Sequence, residues 1–191
     1  MEMMKKLFTL CLACMLCLTL GGCQKANDSD KGKQEKITDA TQLLTAVWDT
    51  YKEDEKFPIF GGDVKQPVDN APGSFDVSDA ESLSSLLIVP SDYGKQLDDA
   101  AGFLHAMNAN TFTAGAFHIS DAKHTEDFIK GLKEAILNNQ WMCGFPEKLL
   151  MFRINDDYVV SVFGNLTLIE VFQKKLQAQY PSAQLVVEEA F

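Results

Sequence analysis

The clearest hydrophobic pattern in the N-terminal half is that of an amphipathic helix. Thr38 or Asp39 is placed to cap it, and apolar residues then recur at i, i+3, i+4, i+7, i+8 and i+11. These residues are Ala40, Leu43, Leu44, Val47, Trp48 and Tyr51. The charged run at 52–56 follows, and Pro58 prevents the helix from continuing. The pattern therefore predicts one helix with a continuous apolar stripe.

The C-terminal half alternates between strand and helix patterns. Strands are predicted at 112–119, 149–154, 158–164 and 184–189, and helices at 125–138 and, after a capping Asn165, to residue 180. The sequence Asn155-Asp156-Asp157 is typical of a hairpin turn. The order is strand, helix, strand, strand, helix, strand. With right-handed crossovers it predicts an α+β, ferredoxin-like split βαβ domain, a four-stranded antiparallel sheet with both helices on one face.

Side-chain alternation predicts which residues of that sheet face the helices. The helix face is expected to carry Phe117, Ile119, Leu150, Phe152 and Ile154. The opposite, open face is expected to carry Ala114, Ala116, His118, Met151 and Arg153. Because the stripe of the first helix needs a partner, we expect that helix to lie across the open face. Its contact residues would be Leu43, Leu44, Val47 and Trp48.

The middle of the chain has no sustained period. Residues 57–78 contain three Pro and three Gly and are predicted to form a long irregular connection. A short helix capped by Ser78 is predicted to stop near Pro90, and residues 96–107 are expected to be partly helical. The pair Gly61-Gly62 lacks the further glycines and the Lys-Ser/Thr pair of a phosphate-binding loop, so we interpret it as a turn.

The first 23 residues have the pattern of an export signal. Lys5 and Lys6 precede 14 uncharged residues, 7–20, which as a helix cover about 21 Å of a hydrocarbon core of about 30 Å. The run ends in Leu20-Gly21-Gly22-Cys23, which resembles the lipobox of bacterial lipoprotein precursors. The resemblance implies cleavage before Cys23 and a diacylglyceryl group on its sulfur, and two acyl chains give stable anchoring. The alternative is a secreted protein with an ordinary Cys23 thiol.

These patterns divide the chain into a lipoprotein signal peptide (1–22), a tether (23–36) and a single α+β domain (37–191). Residues 24–36 are almost entirely polar and predict a flexible coil of roughly 20 Å. The lipobox, the early helix (LLTAVWDTY), the helix at 125–138 and the hairpin FPEKLLMFRINDDYVVSVFG together resemble a family of small bacterial lipoproteins with a domain of unknown function. That resemblance supports a single domain and extracytoplasmic membrane anchoring, at the outer face of the cytoplasmic membrane or in the periplasm, and it brings no known activity or catalytic residues to this chain.

The net charge limits the possible partners, and the cysteine content limits the possible disulfides. Removal of residues 1–22 takes away Lys5, Lys6 and Glu2, which leaves 15 basic and 26 acidic residues and a net charge of −11. An acidic surface is repelled by nucleic acids and by anionic lipid headgroups. We therefore expect no nucleic-acid partner, and we expect the lipid rather than a basic patch to hold the protein at the membrane. Cys143 is the single cysteine of the predicted domain, which excludes an intrachain disulfide there.

The remaining chemistry-bearing residues do not form a recognisable motif. His118 and His124 are six positions apart, which fits neither a helical i, i+4 pair nor a zinc knuckle, and His105 is isolated. We therefore expect no metal and no cofactor, and interpret Asp156-Asp157 as turn residues rather than a Ca²⁺ site.

Residues 140–146 hold the candidate binding residues, Trp141 and Phe145, next to Met142. These side chains either pack beneath the loop or form an exposed patch that captures a partner. The sequence favours a non-enzymatic, membrane-tethered binding module for a protein or small-molecule ligand. The alternative is a hydrolase or thiol enzyme with a site built around Cys143 and a His brought close by the fold.

Overall fold

The computed structural model describes residues 35–107 and 110–191, which form an α+β domain. The predicted signal peptide, the lipobox-like segment with Cys23 and the predicted tether up to residue 34 lie outside the described residues. The helices are α1 (Ala40–Trp48), α2 (Ala80–Leu86), α3 (Ser91–Gly94), α4 (Thr125–Leu137) and α5 (Leu166–Gln179). The strands are β1 (Ile59–Gly61), β2 (Val68–Asp69), β3 (Gly73–Ser74), β4 (Leu97–His105), β5 (Phe112–Ile119), β6 (Lys148–Ile154), β7 (Tyr158–Gly164) and β8 (Gln184–Ala190).

All eight strands belong to one antiparallel sheet with the order β2-β1-β4-β5-β7-β6-β8, and β3 pairs with β4. The predicted hairpin of β6 and β7 is confirmed, with Ile154 opposite Tyr158 and Lys148 opposite Gly164. The two ends of β6 define the two ends of the sheet, about 20 Å apart. We call them the turn end, at residues 155–157, and the loop end, at residues 139–147.

The predicted ferredoxin-like sheet of four strands is wrong, because β8 joins the opposite edge. A ferredoxin-like sheet places the last strand beside the first, here β5, but β4 occupies that position and β8 pairs with β6 instead. The crossovers from β5 to β6 and from β7 to β8 therefore run in the same direction across the sheet. Because β5 and β7 are antiparallel, right-handed crossovers then place α4 and α5 on opposite faces.

Two hydrophobic clusters, one on each face, confirm this layering. The first face packs α1 and α5 against the sheet, and the second packs α2 and α4 against it. Leu150, Phe152 and Ile154 belong to the first face and Phe117 and Ile119 to the second, so the prediction that these five share a face is wrong. The predicted outward Met151 is instead fully buried, because the second face is covered by α4.

The prediction for α1 is confirmed in its main point. The six residues of its apolar stripe are at most 5% exposed and pack in one cluster with Ala114 and Ala116. Asp39 caps the helix by accepting a hydrogen bond from the N–H of Gln42. The face of the sheet that carries Ala114 is therefore covered by α1 together with α5, rather than by α1 alone.

Three predictions for the middle of the chain are corrected. Residues 97–105 form the central strand β4 rather than a helix, because pairing with β1, β3 and β5 outweighs the helix preference of its Ala and Leu residues. Residues 57–78, predicted to be irregular, contain the short strands β1, β2 and β3. The cap of α2 is Asp79 rather than Ser78, since the Asp79 carboxylate accepts the N–H of Ser82.

Candidate functional site

The loop at residues 139–147 places its aromatic residues in two different environments. Trp141 is partly buried, with its ring 5.4 Å from that of Phe163 and 6.1 Å from that of Phe191. Phe145 is 73% exposed, and the neighbouring Met142 is 90% exposed. Trp141 therefore packs beneath the loop, whereas Phe145 projects from it.

The exposed residues stand on a loop that is fixed to the sheet and to α5. The N–H of Glu147 donates to the carbonyl of Gly164 at 2.9 Å. The Glu147 carboxylate accepts the N–H of Leu166, the first residue of α5, at 2.6 Å. Gly144 has φ +80°, a conformation that side chains rarely adopt, and Pro146 is buried. The C-terminal end of the loop, two residues after Phe145, is therefore anchored to the sheet and to α5.

Four exposed apolar residues lie on this loop and on the chain segments that hold it. We call them the loop-end patch: Met142, Phe145, Leu166 and Phe191. Leu166 and Phe191 are 42% and 44% exposed, and both donate a backbone N–H to Glu147. Aromatic and Met side chains in such a patch are suited to contact apolar groups of a partner.

Cys143 lies in the same loop, but the structure does not pair it with a histidine. Its side chain is exposed, and no hydrogen bond joins it to a His in the described part of the chain. His105 accepts the N–H of Met107 on Nδ1, and burial lowers its pKa. His118 and His124 lie at the turn end of the sheet, at the far end of β5 and before α4. A thiol site built from Cys143 and a histidine is therefore not assembled in this conformation.

At the turn end, His118 on β5 lies between two carboxylates. Its Nδ1 is 2.5 Å from Oδ1 of Asp98 on β4, and its Nε2 is 3.4 Å from Oδ2 of Asp157. The ring of Tyr158 lies against the imidazole, with centroids 4.6 Å apart. Both ring nitrogens therefore face acceptors, which favours the doubly protonated imidazolium.

The pKa of His118 reflects competing effects. Burial lowers the pKa, but the hydrogen bond and charge of Asp98, together with the charge of Asp157, outweigh burial and raise it above 6.5. For Tyr158, burial first and then the nearby carboxylates, Asp99 foremost, raise the pKa to about 12. The two carboxylates therefore favour the protonated form of His118, in which both ring nitrogens donate.

The turn at 155–157 joins several parts of the domain. The Asn155 side chain pairs with the backbone of Glu35, and the carbonyl of Asp156 accepts the hydroxyl of Thr125. The carbonyl of Asp157 accepts the N–H of Ile119. Glu35 therefore belongs to the folded domain, although the sequence placed it in the tether. Its carboxylate also accepts the N–H of Ser182.

Some of this site could be foreseen and some could not. The sequence correctly predicted that Asp156-Asp157 form a turn and that His118 lies in the sheet. The contact between His118 and Asp98 was missed because residues 96–107 had been predicted as partly helical. Within residues 35–107 and 110–191, no group of three or more His, Cys, Asp or Glu is arranged to hold a metal ion.

Comparison with known proteins leaves the chain without a match: no protein-family profile, curated protein or solved structure is similar to it. Across the described residues, none of the helices combines the length and the apolar character needed to span a bilayer.

Proposed function

We propose that this protein is a bacterial lipoprotein, anchored through Cys23 at the extracytoplasmic face of a membrane, that binds a protein partner through its loop-end patch. The proposal for anchoring rests on the basic start, the short apolar run and the lipobox-like Leu20-Gly21-Gly22-Cys23. The proposal for binding rests on one observation, the exposure of Met142 and Phe145 on a loop fixed by Glu147.

Exposure of these two residues has a cost unless it serves a contact. A large apolar side chain held in water forgoes about 1.5–3 kcal/mol of burial free energy. Trp141 in the same loop is partly buried against Phe163, so the loop can direct apolar side chains inward. Burial of Met142 and Phe145 by a partner recovers the forgone energy, and aromatic residues in such positions often dominate binding.

The geometry gives less support to an enzyme. Cys143 is exposed in the loop, and among the described residues it is not hydrogen-bonded to a histidine. The nitrogens of His118 face Asp98 and Asp157, and no hydrogen bond among the described residues joins this histidine to a Ser, Thr or Cys side chain that it could activate.

Site-specific photo-crosslinking in cells tests the binding proposal. A photoreactive amino acid replaces Phe145 in one strain and Val64 in another, since Val64 is 69% exposed but lies between β1 and β2. We expect a discrete adduct with one other protein from position 145 and none from position 64. The adduct should disappear in a Met142→Ser background that keeps the wild-type melting temperature.

Two crosslinking results would contradict the binding proposal. Equal adduct patterns at positions 145 and 64, or an adduct that persists unchanged with Met142→Ser, would contradict recognition through the loop-end patch.

Anchoring is tested separately by membrane fractionation of a Cys23→Ser variant, which we expect to leave the membrane fraction.

A further inference from the structure

His118 lies at the junction of three separate elements of the fold. It is on β5, its partner Asp98 is on β4, and its partner Asp157 is in the turn between β6 and β7. A protonated imidazole donates through both nitrogens and so holds both carboxylates at once. A neutral imidazole has one N–H and loses the charge attraction to both partners.

The groups that face His118 are acidic or neutral. From β4 these are Asp98 and Asp99, from the turn Asp157, and from β7 the phenol of Tyr158. Asp39, before α1, also acts electrostatically on Tyr158. Loss of the imidazolium charge therefore leaves several carboxylates at the turn end without the cation that offsets their repulsion.

The same turn holds the first described residue of the domain. The N–H of Glu35 donates to Oδ1 of Asn155 at 2.9 Å, and Nδ2 of Asn155 donates to the carbonyl of Glu35 at 3.2 Å. Asn155 is separated from Asp157 by one residue and has a left-handed backbone, with φ +53°. A shift of Asp157 therefore acts directly on a short, constrained turn.

We propose that His118 is a pH-sensitive latch that controls how firmly the 155–157 turn holds Glu35. When His118 is protonated, Asp98 and Asp157 are drawn to it and the pairing of Asn155 with Glu35 is maintained. When His118 loses its proton, Asp157 is released and the pairing is weakened. Glu35 is then held more firmly in acid than in alkali.

Nuclear magnetic resonance of the purified full chain, labelled with ¹³C and ¹⁵N, tests this latch between pH 5 and 9. We expect the side-chain carbonyl carbon of Asn155 to change its shift with the same midpoint as the His118 ring. His118→Gln, which keeps a side-chain donor but does not titrate, should abolish the change at Asn155. His124→Gln is the matched control, because His124 lies before α4 and makes no capping hydrogen bond, and it should leave the change intact.

A second variant keeps the test decisive if His118→Gln does not fold. Asp98→Asn removes one of the two charges that favour the imidazolium, so the shared midpoint of His118 and Asn155 should move to lower pH. The latch is refuted if the Asn155 signal is constant between pH 5 and 9, if it still changes in His118→Gln, or if Asp98→Asn moves the His118 midpoint without moving that of Asn155.

Discussion

Glu35 and Asn155, 120 positions apart in the chain, form a reciprocal pair of hydrogen bonds. The Asn155 carboxamide accepts from the N–H of Glu35 and donates to its carbonyl, much as a neighbouring strand would. The pair joins the start of the folded domain to the tight turn of the central hairpin. It holds Glu35, the first residue that the structure describes, at the turn end, whereas the loop-end patch lies at the other end of β6.

Two substitutions separate the hydrogen bonds of Asn155 from its backbone conformation. Asn155→Gly keeps the left-handed backbone and removes both bonds, so the free energy of unfolding should fall by about 1–2 kcal/mol. Asn155→Ala removes the same bonds but, unlike the Gly variant, keeps a Cβ at a left-handed φ, so it should be about 1 kcal/mol less stable than Asn155→Gly. Urea denaturation of both variants measures the difference. Equal stability of the two variants would contradict the left-handed conformation.

The stability of the protein should depend on pH through His118. Its pKa is raised in the folded state, so its contribution is fully present below the unfolded pKa of about 6.5 and is lost as the pH rises through the folded pKa. Urea midpoints measured from pH 5 to 9 should decline over that window in the wild type. The decline should be smaller in His118→Gln. A wild-type midpoint that stays constant from pH 5 to 9, or that declines as much in His118→Gln, would contradict this contribution.

Replacement of Trp48 tests the packing of α1. Its indole lies 4.7 Å from the ring of Tyr51, 5.3 Å from Phe57 and 5.4 Å from Phe103, measured between centroids. Trp48→Ala should therefore reduce the free energy of unfolding by about 3–5 kcal/mol. Met142→Ala, at a side chain 90% exposed, is the control and should stay within about 0.5 kcal/mol of the wild type. A loss of similar size in both variants would contradict the placement of α1.

Gly131, in the interior of α4, should resist the substitution that normally stabilises a helix. Gly to Ala gains about 1 kcal/mol in an open helix position. At Gly131, however, an added Cβ would overlap the ring of Tyr93. We expect Gly131→Ala to destabilise the protein by about 1–3 kcal/mol in thermal or urea unfolding. The loss should shrink when Tyr93 is also changed to Ala. A stabilised single variant would show that α4 and Tyr93 are not in contact.

The sequence predicted the elements whose periodicity is set locally. The stripe of α1, the helix α4 and the hairpin of β6 and β7 all follow from spacing and turn composition, and Asn165 was correctly predicted to cap α5. Strand β4 was missed because its Ala, Leu and Asp residues carry no clear alternation. Its conformation is fixed by pairing with β5 and by burial between two layers of helices, which are properties of the whole fold.

Because strand β4 was not predicted, the predicted topology was wrong and one partner of His118 was missed. Without β4, the position beside β5 is open, and β8 is then expected there with α5 on the same face as α4. Without β4, the sequence also offers no partner from that strand for His118, although Asp98 is only 20 positions away. The exposure of Phe145 and the partial burial of Trp141 depend on where the loop meets β7 and α5. The spacing of residues along the sequence alone does not determine the exposure of either side chain.

The lipid anchor proposed at Cys23 is the central claim, and the intact mass of the protein purified from membranes tests it most directly. We predict a chain that begins at Cys23 and carries the added mass of a diacylglyceryl group on its first residue, with that mass absent from a Cys23→Ser variant. A mature chain with a free thiol at Cys23, or one that retains residues 1–22, would contradict the proposed location and, with it, the role of a tethered binding module.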